Sequence, residues 1–476
     1  MFESDRDCPV PQTSRGGRSL WFEQALLGEA WASDVRITVA DGLIATIETA
    51  VARTATDQGG GVAIPGVANV HSHAFQRAMA GLTEGRGPEG GEDDDFWSWR
   101  QLMYRFLDRG GPEEIEAITA LAFAEMLEGG FTRVAEFHYL HNAPVGRPYA
   151  DPAELTGRIV AAAEATGVGL TLLPVFYAHS QFGGAEPNHG QRRFITDVDQ
   201  FADLVARGRT LTAALPDAVV GVAPHSLRAV SPEELAAMPG LAGDGPIHIH
   251  VAEQTKEVDD CLAWSGARPV EWLLANAPVD PRWCLIHATH VTPAEWGEVA
   301  ARGAVVGLCP VTEANLGDGV FPASAYVQQG GRFGIGTDSN VRIGLAGELR
   351  MLEYSQRLSL RKRAVMADGA RTTGRALFDR ALSGGAQATG AQNGLGGGLA
   401  VGQAADIVGL DTRGIAFEGR SGDAILDSWI FAADRNAIRS VWRRGEQVVV
   451  EGRHVARDAI ESRYRKALKT VLGQDA

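Results

Sequence analysis

Between residues 65 and 397, short apolar runs rich in β-formers alternate with longer stretches in which apolar residues return every three to four positions. The runs fall at 61–70, 131–137, 168–176, 218–223, 246–252, 284–288, 304–309 and 333–337. The stretch after Gly111 has a full helical signature. Pro112 stands near its first position, Glu113 and Glu114 sit in its first turn, and Ile115, Ile118, Ala122 and Met126 follow at helical spacing before Gly129-Gly130 ends it. Eight strands with helices between them predict a distorted (β/α)8 TIM barrel. A doubly wound open sheet fits the same periodicity.

The flanks have a different texture. From 18 to 64 the apolar runs are short (25–27, 35–39, 43–47), with Asp41-Gly42 as a hairpin signal. After 398 the same texture returns at 407–410, 438–442 and 448–450, with Arg444-Gly445 and Glu451-Gly452 as turns. The two ends are expected to build one small β-sandwich from 18–64 and 398–457, leaving 65–397 for the barrel. Residues 1–17 read as a loose tail and 458–476 as a C-terminal helix or tail. Two segments, 84–95 and 179–193, read as loops that follow barrel strands, either plain surface or lids over a site.

Composition narrows the function classes. The 476 residues are 45% hydrophobic and 22% charged, as in ordinary globular proteins. Asp plus Glu outnumber Lys plus Arg by 59 to 44, a net charge of −15, which argues against a nucleic-acid partner. No apolar stretch is long enough for a transmembrane helix, and the first residues lack the apolar core of a signal peptide. Four Cys without a close pair make no disulfide framework. The expectation is a cytoplasmic protein with reduced thiols and no membrane partner.

The chemistry is carried by where polar residues fall. Of 12 His, most lie at or just past the C-terminal ends of the predicted strands, the face on which barrels place active sites. His71 and His73 are two apart and point to one side of an extended strand, which suits a first-row metal such as Zn²⁺. One His-x-His alone is more often a chance pair. A second at His248 and His250, and Asp338 after another apolar run, turn that balance. His248 reads as a packing residue, and His290 as facing the turn that follows it. Glu253, three beyond His250, is placed for a proton shuttle beside a metal-activated water, the bland alternative being a solvated loop carboxylate. His287 is placed to orient that water or to stabilise a developing oxyanion.

Together these stretches resemble the amidohydrolase superfamily, in its deaminase branch with one metal. Pro65-Gly66-Val67-Ala68-Asn69-Val70-His71-Ser72-His73 is similar to the first-strand signature. His250-Val251-Ala252-Glu253 resembles the fifth-strand His-x-x-Glu, His287 the sixth-strand His, and Thr337-Asp338-Ser339 the eighth-strand Asp. The segment Ala400-Val401-Gly402-Gln403-Ala404-Ala405-Asp406-Ile407-Val408 resembles the family's return to the sandwich. The resemblance implies metal ligands His71, His73, His250 and Asp338, with Glu253, His287 and Asp338 serving catalysis. It implies Zn²⁺, one per chain, with iron able to use the same ligands, and a homodimer.

Within the superfamily the chain is similar to the N-formimino-L-glutamate deiminases of histidine degradation. The stretches that carry this are His73-Ala74-Phe75-Gln76-Arg77, Phe96-Trp97-Ser98-Trp99-Arg100, Glu136-Phe137-His138-Tyr139, Ala223-Pro224-His225-Ser226-Leu227-Arg228 and the run 309–319. The likeness implies substrate binding by Gln76, Arg100, Tyr139, His225 and Arg228; an acidic insertion at 87–94 departs from the pattern beside Arg100. The substrate would be a small molecule with two carboxylates. Each carboxylate wants a fork-shaped cation, and Arg228 and Arg100 follow strand ends, with Arg77 and Arg105 in reserve. Trp97, Trp99 and Tyr139 keep a nucleobase, adenosine-like or triazine ring open as the alternative substrate. A non-enzymatic relative would be expected to have lost metal ligands, and all four are present.

Overall fold

The computed structural model describes residues 17–85, 96–391, 394–433 and 437–474. Both chain ends enter one eight-stranded sheet. Arg18–Leu27, Ala30–Ala40 and Leu43–Glu48 form an antiparallel meander at one side. Ile407–Leu410, Ile438–Arg443, Glu446–Val450 and Arg453–His454 form the other. Val62–Pro65 joins them, parallel to the first strand and antiparallel to Ile407–Leu410. The three turn pairs read from the sequence all take positive φ at both residues: 53° and 81° at Asp41-Gly42, 49° and 77° at Arg444-Gly445, 49° and 75° at Glu451-Gly452. That is the backbone a tight hairpin requires, because its twist matches that of the strands. The sheet folds over on itself. Phe22 and Trp442, on strands far apart in its order, meet edge to face at 5.5 Å in a core with Leu20, Ile37, Ile44 and Ile407.

Gly66 carries the chain from this sheet into the barrel. A Cβ there would lie 2.2 Å from the Thr132 side chain, so only glycine fits. The eight parallel barrel strands are Val67–Ser72, Phe131–His138, Gly169–Phe176, the split pair Val219–Val220 and Ala223–Pro224, then Ile247–Val251, Trp283–His287, Val305–Leu308 and Arg332–Ile335. Seven fall where the apolar runs predict them; the run 61–70 splits at Gly66 into Val62–Pro65 of the curled sheet and the first barrel strand. The fourth is broken at Gly221 and Val222, yet still closes the ring: Val222 N–H donates to Pro246 O (3.0 Å) and His248 N–H to Val222 O (3.1 Å). At the other seam Ile335 pairs with Asn69. The open-sheet alternative is therefore excluded. The first three strands are buried along their whole length, as strands covered on both faces must be.

The predicted helix after Gly111 runs Pro112–Glu128, with the Glu114 carboxylate accepting from Gly111 N–H at 3.0 Å. The C-terminal segment is the docked helix Arg457–Leu472. Ala467 and Val471 pack on Ala117 and Ile118, and Arg457 pairs with Glu125 and Glu128. No helix among the described residues is long and apolar enough to cross a membrane.

Candidate active site

The C-terminal ends of the first, fifth, sixth and eighth strands converge on one buried cluster. His71 is the last but one residue of the first strand and His73 follows the strand, their rings edge to face at 4.6 Å. His250 lies on the fifth strand and His287 ends the sixth. Asp338 follows the eighth; its N–H donates to His71 O at 3.0 Å, and its carbonyl accepts from His73 N–H at 2.9 Å. Three of these strand ends bend through left-handed backbone: Ala252 (φ 53°), His287 (φ 66°) and Asp338 (φ 43°). Such positions cost about 1–3 kcal/mol each in a non-glycine residue and cluster at functional sites.

Four side chains offer ligand atoms to one centre. His71 Nε2 and His250 Nε2 are 3.0 Å apart, and Asp338 Oδ1 lies 3.5 Å from His71 Nε2 and 3.4 Å from His73 Nε2. Ligands 2.0–2.2 Å from a tetrahedral ion stand about 3.4 Å from one another, so the set fits a metal such as zinc. The ring edges behind them fix which nitrogen is free. His73 Nδ1–H donates to Phe137 O (3.0 Å) and His250 Nδ1–H to His225 O (2.9 Å), leaving each Nε2 unprotonated toward the centre. Burial holds all three imidazoles below their ordinary pKa, in the neutral form that binds metal.

Beside this set stand Glu253 and His287. Glu253 Oε1 is 3.6 Å from His287 Nε2, and Asp338 Oδ2 is 3.7 Å from the same nitrogen. Burial pushes the Glu253 carboxyl up to about 7. Burial alone would lower His287, but the carboxylates of Glu253, Glu313 and Asp338 outweigh it and hold the ring well above its ordinary pKa. That places one acid–base group near neutrality next to one cationic donor.

The five residues expected to bind substrate line the same cavity, with Trp99, Met103 and Leu316. Arg100 and Arg228 are the two arginines among these lining residues. Arg100 donates to Tyr177 OH at 2.6 Å and lies over the Tyr104 ring at 5.5 Å. Gln76 donates to Tyr139 OH at 2.8 Å, and that hydroxyl donates to Met103 Sδ at 3.3 Å. The His225 ring lies 4.8 Å from that of His250 and 4.6 Å from that of Tyr177. His248 turns away and bonds Ala388 O at 2.7 Å, as expected of a packing residue. The reserve role expected for Arg77 is not met, because Glu125 holds its guanidinium at 2.5 Å over a different cleft. The insertion at 87–94 and the side chains of Trp97 and Arg105 lie outside the described residues.

A family model described as the amidohydrolase family matches residues 62–448. The chain belongs to the amidohydrolase family. Residues 19–61 match a second model, described as the N-terminal domain of the formimidoylglutamate deiminase HutF. Formimidoylglutamate deiminase of Pseudomonas aeruginosa is 49% identical over 96% of this chain and 99% of its own length. The crystal structure of an amidohydrolase from Brucella melitensis superposes with a TM-score of 0.92 at 53% identity, covering 96% of this chain and 100% of that one. A zinc-bound adenosine deaminase from Xanthomonas campestris shares the fold at 22% identity and a TM-score of 0.80, covering 96% and 98% of the two chains.

Several residues that build this amidohydrolase site have no role assigned from the sequence, although Asn69 lies in the first-strand signature and Glu313 in the run 309–319. Asn69 accepts from the N–H groups of His71 and Thr337, both at 3.2 Å, and so pins the first strand to the eighth. Asn340 ties Ser72 Oγ (3.1 Å) to Asp338 O (2.9 Å). Glu313 stands 3.2 Å behind His287 Nδ1 and also accepts from Cys309 N–H at 2.9 Å. Asn69, two before the first ligand, was the most findable. The others show their role only when distant strands meet.

Proposed function

We propose that this amidohydrolase hydrolyses N-formimino-L-glutamate to N-formyl-L-glutamate and ammonia, a step of histidine degradation. The observation that carries the reading is one buried cavity with a three-His, one-Asp ligand set at its floor and two arginines, Arg100 and Arg228, on its wall. The 49% identity to the Pseudomonas aeruginosa enzyme, spanning nearly both chains, supports the same substrate.

His71, His73, His250 and Asp338 would hold the metal, with Zn²⁺ favoured by the nitrogen-rich set and iron able to take the same place. A metal there supplies Lewis acidity that lowers the pKa of a water toward neutrality. Arg100 and Arg228 each take one substrate carboxylate in fork geometry, while Gln76, Tyr139 and His225 position the formimidoyl group. Asp338 helps draw the proton from the attacking water, which His287 orients. Glu253 carries that proton to the departing nitrogen, and the cationic His287 steadies negative charge on the tetrahedral carbon's oxygen. The balance is one water in, one C–N bond broken, one C=O formed and one ammonia out. The reading also makes the protein a cytoplasmic homodimer.

The test is ammonia release by the purified, metal-analysed protein from N-formimino-L-glutamate, with guanine, cytosine and adenosine in parallel. Release from the first alone is expected, lost on chelation and restored by one equivalent of zinc. Release from a ring substrate alone would overturn the reading and make this a ring deaminase.

A further inference from the structure

Asp318 has no part in the reaction drawn above, yet it is buried against it. It follows Gly317, the left-handed cap (φ 72°) of the helix Pro310–Leu316, and precedes Gly319 (φ 127°), a turn that returns the chain to the barrel. Its backbone is fixed on both sides: the N–H donates to Glu313 O at 2.9 Å, and the carbonyl accepts from His290 Nε2 at 2.8 Å. The side chain is less well satisfied. Oδ1 accepts from the Gln254 amide, while Oδ2 is buried without a partner. One carboxyl oxygen of Asp318 lies within 4.8 Å of a carboxyl oxygen of Glu253 and of a ring nitrogen of His287.

The charges facing this point are mostly of one sign. Glu253, with Glu257 behind it, comes from the end of the fifth strand, Glu313 from the helix that precedes Asp318, and Asp338 from just past the eighth strand. His287 is the cation among them, and His290 touches only the backbone. Among the described residues Asp318 makes no ion pair. An ionised Asp318 would set a second anion near Glu253 in a buried place with a single amide donor, an arrangement two neighbouring carboxyl groups avoid when one of them stays protonated.

We propose that Asp318 is a positioning residue that works as a neutral carboxylic acid: it keeps the proton of the pair, so that Glu253 bears the charge and is the one to accept the proton in the reaction. The inference rests on the proton-carrying role proposed for Glu253. The directions agree with it, since burial and the neighbouring Glu253 push the Asp318 carboxyl up to about 9, above Glu253. Asp318 does not line the substrate cavity, so its effect passes through Glu253.

The experiment is the pH profile of kcat on N-formimino-L-glutamate, from pH 6 to 10, for zinc-loaded wild type, Asp318→Asn, Asp318→Ala and Glu253→Gln. In the wild type kcat falls as pH rises through about 9, when Asp318 ionises. Asp318→Asn keeps an uncharged amide in place and cannot ionise, so this alkaline limb disappears. At pH 7 it retains about fivefold more kcat than Asp318→Ala, the worth of one ordinary hydrogen bond. An alkaline limb unchanged in Asp318→Asn overturns the proposal. So does an Asp318→Asn enzyme as slow as Asp318→Ala while its zinc content and melting temperature match the wild type. Should Asp318→Ala not fold, the limb in Asp318→Asn decides alone. Near-normal turnover by Glu253→Gln would instead bring down the role of Glu253 itself, and a slow Glu253→Gln with the limb intact in Asp318→Asn would bring down only Asp318.

Discussion

A carboxyl group moves a proton between water and a leaving nitrogen only if it can both take and give that proton near the working pH. An ordinary glutamate is too weak a base. Glu253 reaches about 7 because its surroundings withhold water from the charged form. Two outcomes follow at this residue. Glu253→Gln keeps the size and removes the proton chemistry, so kcat falls by about 10²–10⁴ while metal content stays at one per chain. In the proposed mechanism the ionised form starts the reaction. Protonation below about 7 therefore removes it, and kcat/KM rises with pH up to that value and then levels. A profile flat between pH 5 and 8, or a glutamine variant with normal turnover, would deny Glu253 the role.

At the scale of elements, the cation proposed to bind the substrate is held by pieces distant in sequence. Arg100 rides on the helix Phe96–Leu107. Arg193, buried at the end of the 179–193 loop, clamps the end of that helix by donating to Leu107 O (2.5 Å) and Gly110 O (2.9 Å). Tyr177, just past the third strand, accepts from Arg100 and from Gln191 of the same loop, both at 2.6 Å. The loop thus buttresses the arginine through its second half. Tyr177→Phe deletes the acceptor that aims the guanidinium. The loss of about 1 kcal/mol should raise KM about fivefold and change kcat less, as steady-state kinetics will tell; an equal fall in kcat would place Tyr177 in the chemistry instead. This support also marks where the sequence becomes unreadable. His71, His73, His250, Glu253, His287 and Asp338 are legible because each ends an apolar run, and the barrel brings such ends together. The eight strands and three hairpins are legible for the same local reason, a pattern or a turn pair within a few residues. Asn69 bonds Thr337 across 268 positions and Glu313 meets His287 across 26, so although both stand in recognisable stretches, nothing local announces what either bonds. Arg77 misleads in the same way: it stands beside the ligands in sequence, and Glu125, which captures it, lies 48 residues on.

At the scale of the whole molecule, the end of the barrel opposite the cavity is joined to the curled sheet by a buried ion network. Asp217 receives Arg133 of the second strand at 2.8 Å and Arg443 of the strand Ile438–Arg443 at 2.6 Å, and Arg443 also pairs with Asp406. Asp217 is the member both guanidiniums share. Burial alone would raise its carboxyl, but Arg443 and Arg133 outweigh that and hold it below the ordinary carboxylate range. Asp406 goes the other way, because burial there exceeds the pull of Arg443. Asp217→Asn leaves two buried guanidiniums facing each other with one acid between them, and removing one member of a buried pair costs about 3–5 kcal/mol. The unfolding free energy should fall by about that much, with metal content unchanged. The pH dependence has a definite sign. A depressed carboxyl adds stability that is complete above its unfolded pKa and is lost as pH falls through its folded one. Urea unfolding at a series of pH values should therefore show the gap between wild type and Asp217→Asn closing as the solution is acidified. A gap that stays constant with pH would mean that Asp217 holds the two sheets together by packing and hydrogen bonds alone, with no contribution from its charge.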